Sequence, residues 1–362
     1  MEKSYRFAVF IISAFLLIYG LVLVRDFLYP VTFGILLSYL LYPIVNFLEK
    51  KGFPRILAIL ICILAGMLIL SGITVFVIKR ISAFSDDLPS FRDKAIQNIK
   101  LLEETIKNSF GIPDYITAKF INNRIFDLGI KSEKIFSATT GTLFMIGMQP
   151  VYIFLFLYYR TKFAYFILKI AGRNNRAVTV NILKEISSVV TRYMLGVTTV
   201  VLILCIFNST GYLIIGLKFP FLMGIVSAVF SFIPYFGNFI GGSIPFLFAL
   251  LTRDSYIYSF RIIIFVLIVH FFENNILSPN IVGSNIRINP FFIILGLIMG
   301  AMLWGIPGML VIIPFMAMLN IVIKNIHSLQ PYSYLLGMKG TKKHALTFQK
   351  ISKFFTRKSE KS

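Results

Sequence analysis

From Ile56 to Ile78 the chain reads ILAILICILAGMLILSGITVFVI, without one charged residue, and Lys79-Arg80 ends the run. A helix over this stretch rises about 35 Å, enough to cross a hydrocarbon core of about 30 Å. A helix that is apolar on every side belongs in the core of a large protein or in a bilayer. Composition decides between them. Hydrophobic residues make up 57% of the 362 residues and charged residues 14%, against about a quarter charged in a soluble domain. The sequence predicts an all-α polytopic membrane protein.

Other apolar runs place further spans at Phe7 to Val24, Phe27 to Leu48 (with Pro30 and Pro43 inside), Phe136 to Tyr159, Tyr193 to Leu217 and Ile262 to Leu277. An amphipathic helix, Val178 to Thr191, leads into the fifth. Arg25-Asp26 marks the end of the first. That first run resembles a signal peptide, yet it lacks a small-residue cleavage site and another apolar segment follows at once, so it reads as an uncleaved span.

The net charge of +21 follows topology. Residues 1–6, 49–55, 160–186 and 324–362 carry +16 of it. Loops that retain Lys and Arg lie on the cytoplasmic side. Facing anionic lipid explains such segments better than nucleic-acid binding does. Residues 79–134 differ, with ten Lys/Arg and eight Asp/Glu. Ile96, Ile99, Ile106 and Phe110 follow a helical period there, which predicts a small extracytoplasmic helical insert. The expected divisions are 1–78 (three spans), 79–134 (insert), 135–217 (two spans and a basic connector), 218–324 (a C-terminal region with broken helices) and 325–362 (a basic tail). Both termini are expected in the cytoplasm, with the protein in the inner or plasma membrane.

Two segments of the last third resist a simple count. Residues 219–251 are long for one span and are interrupted by PYFGN. Residues 290–323 are interrupted by GIPG. Halves of about 13 residues rise only ~20 Å. Six spans with two re-entrant hairpins, eight crossings, or ten short ones all return the basic tail to the inside, and the two-hairpin arrangement is favoured. Oppositely oriented broken segments are a recurrent way to build a transport site. Ordinary spans kinked by Pro and Gly fit the same residues.

Catalytic patterns are absent. His270 to Asn274 lacks the final histidine of H-x-x-E-H, and neither a G-x-S-x-G elbow nor a phosphate-binding G-x-x-x-x-G-K-[ST] loop occurs. Cys62 and Cys205 sit in apolar runs and offer neither a disulfide framework nor metal-ligand spacing. The expectation is a non-enzyme without cofactor or metal.

Polar residues inside the apolar third are the candidates. Glu273 stands out, because an intramembrane carboxylate is costly and functional by default. His270 shares its helix face. Asn274 and Asn275 add neutral donors and acceptors, or simply end a helix before Ser278-Pro279. Glu273 also fits a position at the membrane edge, paired with Arg261 or Arg287. Gly237/Gly241 and Gly296/Gly300 are spaced for close helix approach. Trp304 suits a packing or interfacial role.

Three motifs in this order, FSFIPYFGNFIGGSIP (230–245), ENNILSPNIVG (273–283) and NPFFIILGLIMGAMLWGIPGMLVIIP (289–314), together with PIVNFLEKKGFPR (43–55), resemble the autoinducer-2 exporter family of transporters. The resemblance covers nearly the whole chain. It implies a secondary transporter, either exporting the furanosyl signal autoinducer-2 or exchanging sodium (or lithium) for protons. It maps one break onto Pro234, Gly237, Gly241 and Pro245. The acidic-Asn motif falls on Glu273 and Asn274, followed by Pro279 and Gly283, and a final break falls on Gly300, Gly305 and Gly308. It also implies a homo-oligomer, a pentamer. Asn238 departs from the pattern, which often has proline there. The expected partners are the bilayer, a small polar solute and H+ or Na+, with no nucleic acid. A reading from another class is a non-transporting membrane scaffold built around the insert and the tail.

Overall fold

The computed structural model describes residues 2–87, 89–91, 93–99, 101, 132–234, 236–253, 255–282 and 288–338. Residues 102–131 of the predicted insert, Gly283, and the tail beyond 338 lie outside the described residues, while 132–134 already belong to a helix. The elements are helical: α1 (Glu2–Leu23), α2 (Arg25–Lys50), α3 (Arg55–Asp86), α4 (Ser132–Ala171), α5 (Arg176–Ile215), α6 (Pro220–Phe230), α7 (Gly237–Thr252), α8 (Tyr256–Phe272), a π-helix π1 (Glu273–Val282), α9 (Pro290–Trp304), α10 (Ile306–Asn325) and α11 (Gln330–Leu336). Among the described residues one isolated antiparallel bridge, Ile288 to Gly337, stands apart from them. The fold is an all-α polytopic membrane protein.

Among the described residues six helical segments are long and apolar enough to cross a membrane: Arg25–Lys50, Arg55–Asp86, Gly147–Ala171, Arg176–Ile215, Tyr256–Val282 and Ile306–Asn325. Five match predicted spans. The sixth, α10, is a half of the second broken segment. Its 20 residues rise about 30 Å, because the run from Met309 to Ile323 carries on as helix past Pro314. The partner half, α9, has 15 residues. In the first broken segment both halves are short, 11 residues in α6 and 16 in α7.

Several predicted boundaries move. Arg25-Asp26 is not among them: α1 ends at Leu23 and α2 begins at Arg25, with Val24 between them at φ −94° and ψ 16°. The basic connector is helix on both sides of Gly172, whose φ of +74° makes the turn. The amphipathic stretch and fifth span are one 40-residue helix, α5. α3 runs past Ile78 to Asp86, about 48 Å in all, until Asp87 and Pro89 stop it.

The chain forms two compact units, residues 1–166 with 191–284, and residues 167–190 with 285–362. In the first, α2, α3 and α4 share a core of Val45, Ala58, Ile59, Cys62, Ile153 and Leu157. Pro43 cannot donate to Tyr39 O, and Thr191 Oγ donates to that carbonyl instead (3.4 Å). At one end of this core Glu49 pairs with Arg160 and, at 3.5 Å, with Arg55, whose guanidinium also donates to Tyr158 O (3.3 Å). A second core unites Tyr212, Leu217, Met223, Ala249 and Ile262 from α5 to α8. In the second unit α9 packs on α10 through Gly300 and Gly308. A Cβ on Gly300 would lie 2.7 Å from Gly308 O, and one on Gly308 would lie 2.0 Å from Gly300 O.

Gly300→Ala and Gly308→Ala are each expected to cost about 1–3 kcal/mol by overpacking. Gly66→Ala, where an added Cβ meets nothing within 4 Å, is expected to be neutral or mildly stabilising. Thermal unfolding of the three purified variants in one detergent checks the contrast.

Candidate functional site in the α6–α7 hairpin and π1

α6 and α7 form a tight helical hairpin whose turn contains Pro234. Gly237 and Gly241 permit the approach: a Cβ on Gly237 would sit 1.9 Å from Phe230 O, and one on Gly241 2.6 Å from Ser227 O. Pro245, buried within α7, has no N–H to offer the carbonyl four residues earlier. That carbonyl, Gly241 O, accepts instead from Ser227 Oγ at 2.7 Å. With that proton committed, Tyr212 Oη of α5 donates to Ser227 Oγ at 3.2 Å. Freed backbone groups at membrane depth must be paired again from neighbouring elements, and α5 and α6 do so here.

The same hairpin supplies the partner of the buried carboxylate. Glu273 is 8% exposed and opens π1. Asn238, second residue of α7, donates from Nδ2 to Glu273 Oε2, and that amide lies 3.2 Å from His270 Nδ1. Ser231 Oγ in turn donates to Asn238 Oδ1 at 2.6 Å, which fixes the amide's orientation. Ser231, Asn238 and Glu273 thus form one directed chain of hydrogen bonds. A hydrogen bond to a charged group contributes about 1.5–3 kcal/mol. A carboxylate has room for about four donors, so a single amide leaves it capacity for a proton or cation.

Next to this chain is a cavity of about 10 Å³ whose polar lining is Asn208, Tyr212, Ser227, Asn238 and His270, with Gly242, Val266 and Val269 beside them. Its volume is that of roughly one water molecule. The lining puts two carboxamides, two hydroxyls and an imidazole within one small space.

π-Helices are rare and usually a single turn, whereas π1 has 10 residues and holds Pro279. Proline in an α-helix loses its own donor and clashes with the carbonyl four residues before; the wider π winding accommodates it. Asn275 Nδ2 donates to Phe271 O (2.8 Å), pairing a carbonyl at the α-to-π junction. Val282 and Ile281 close on α5, where a Cβ on Gly196 would lie 3.0 Å from Val282 Cα.

The predicted residues separate accordingly. Glu273 and His270 come together, and Asn274 Nδ2 lies 3.0 Å from His270 Nε2 on the exposed side. Asn275 turns to its own backbone. Arg261 is over the Tyr258 ring (5.9 Å) rather than beside Glu273, and Arg287, like Gly283, lies outside the described residues. Pro234, Gly237, Gly241 and Pro245 build the hairpin, and Pro279 lies in π1. Gly300, Gly305 and Gly308 belong to the α9–α10 break in the other unit, where Gly305 has φ +67°. Sequence reasoning passed over Asn208, Tyr212, Ser227 and Ser231, and noted Asn238 only as a departure. The signal was present: Asn208/Tyr212 and Ser227/Ser231 are polar pairs at helical spacing in apolar surroundings.

The model of the AI-2E family transporter matches residues 8–328. The chain belongs to this family. It is 28% identical to YrrI of Bacillus subtilis (strain 168) over 316 residues, covering 83% of this chain and 86% of that one. Over 327 residues it is 27% identical to YueF of the same organism, covering 84% and 86%. The AI-2 transport protein TqsA of Escherichia coli (strain K12) is 19% identical over 334 residues, covering 88% and 91%. With its apolar spans, this makes the chain a multi-pass membrane protein of a transporter family.

Asn238→Leu removes the amide donor and is expected to destabilise the protein by about 1–3 kcal/mol, read as a lower unfolding temperature. Ser227→Ala is expected to cost about 1 kcal/mol through the orphaned Gly241 carbonyl.

Proposed function

We propose that the protein is a secondary transporter that exports a small polar solute of the autoinducer-2 type, with a proton carried on Glu273. The observation that carries the reading is the placement of that carboxylate, buried at an α-to-π junction and held by an amide from a helical hairpin too short to span. Family membership supports transport, and the name of TqsA supports the solute class. Hydrogen bonds to an ionised group are roughly twice as strong as neutral ones, so ionised and protonated Glu273 hold the end of α7 with different strength. Proton binding then loosens the hairpin, and proton release tightens it. The basic segments support cytoplasmic termini and a plasma- or inner-membrane location, and the resemblance supports a homo-oligomer.

Cation/proton antiport is the second reading, and the cavity favours it. Sites for drug-sized ligands enclose about 300–1,000 Å³, whereas the space beside Asn238 and His270 suits a water or a bare cation.

Proteoliposomes with an imposed pH gradient and a trapped pH dye test both. Proton movement triggered by a furanosyl solute supports export, and movement triggered by sodium or lithium alone supports antiport. In Glu273→Gln either response is expected to fall by about a hundredfold or more, the scale for losing a proton-transfer group. An unchanged response in that variant removes the carboxylate from the mechanism.

A further inference from the structure

α7 is held at both ends, by Glu273 at its start and by the charged insert at its finish. Asn98, in the helical stretch 93–99 of the insert, is 8% exposed. Its Nδ2 lies 3.4 Å from Leu250 O, 3.1 Å from Leu251 O and 2.8 Å from Arg253 O. These are carbonyls of the last turn and C-cap of α7, which have no partner within the helix. One buried carboxamide therefore caps the helix whose second residue holds Glu273.

The cap is not an isolated contact. Phe84 at the end of α3, Phe91 of the insert, Phe219 at the N-cap of α6 and Phe248 of α7 form a quartet in which every pair of rings is 5.2–6.4 Å apart. Phe91 is 7% exposed. Lys218, just before α6, reaches Asp87 at 2.9 Å and lies over the Phe91 ring at 4.8 Å. The exposed ion pair contributes little; the buried rings and the cap carry the attachment. The insert thus grips the free ends of both hairpin helices.

We propose that Asn98 is a positioning residue for the Glu273 site, acting through α7 as a stiff strut. About 20 Å of helix separate the capped turn from Asn238. The turn at Pro234 and the Ser227–Gly241 bond constrain the middle of the hairpin, so a shift at the capped end reaches Asn238 along the helix axis. Through this strut the insert sets how firmly the amide of Asn238 sits against the carboxylate. Anything that moves the insert, a bound ligand or a neighbouring copy of the chain, acts on Glu273 without touching it. The inference rests on the reading of Glu273 as the coupling group only for its consequence in transport, since the strut itself is geometry.

The test reads the carboxylate directly. Membranes containing the full chain are treated with dicyclohexylcarbodiimide, an apolar carboxyl reagent, and modification of the Glu273 peptide is followed by mass spectrometry in wild type, Asn98→Asp, Asn98→Ala and Asn98→Gln. Asn98→Asp keeps the shape and removes the donors, so it serves where the alanine variant folds poorly. Thermal unfolding is measured on the same samples. The expected result is a change of about two- to thirtyfold in the modification rate in Asn98→Asp and Asn98→Ala, the range of couplings carried through packed elements, with recovery in Asn98→Gln. An unchanged rate in folded Asn98→Asp overturns the proposal. So does a rate that changes only in proportion to lost thermal stability, which makes the cap structural and nothing more. Because modification does not depend on transport, this outcome is independent of whether Glu273→Gln abolishes proton movement.

Discussion

The structure of the first unit turns on one hydrogen bond, from the Asn238 amide to the Glu273 carboxylate. A carboxylate in a membrane span costs about 2.5–3.5 kcal/mol even on the lenient scale, and a segment carrying it must offset that cost with specific polar partners. The donor cannot come from the same helix face alone, since His270 and Asn274 engage each other. It comes from α7, which explains why a short helix must enter the bundle at this depth. Close packing of α6 on α7, the turn at Pro234 and the orientation of Asn238 by Ser231 all serve to hold that amide where it is needed.

A second constraint runs through the whole chain. With no water in hydrocarbon, each carbonyl released by a proline needs a new donor. Gly241 O finds Ser227 and Tyr39 O finds Thr191, each from another helix. At Pro43 and Pro245 the freed carbonyl therefore becomes an interhelical bond rather than a simple kink. Such bonds are short-range and directional, and they fix the rotation of one helix against the next more strictly than leucine packing does.

Much of this was legible in the residues. The uncharged run after Arg55, the PYFGN and GIPG breaks, and Glu273 among apolar neighbours each pointed to the right class of structure, because each is a local property with a strong energetic sign. What escaped was pairing. Asn238 sits 35 residues before Glu273, and nothing in sequence spacing tells which polar residue across a turn will face a carboxylate. The end of the third span failed for another reason: Lys79-Arg80 marks a change of solvent, and a helix continues through such a change unless Gly or Pro stops it. The π winding of residues 273–282 was hidden too, since it answers to Pro279 and its packing together.

The extra length of α3 has a consequence for how the hairpin meets the bilayer. A free apolar helix finds its depth by matching its length to the lipid, tilting or thinning the membrane as required. With 11 and 16 residues, α6 and α7 are too short to register themselves that way. They are bolted by aromatic rings to a helix that overruns a hydrocarbon core of about 30 Å by about three turns. Their depth is thus copied from α3: a ruler made of protein sets where the carboxylate lies between the two faces.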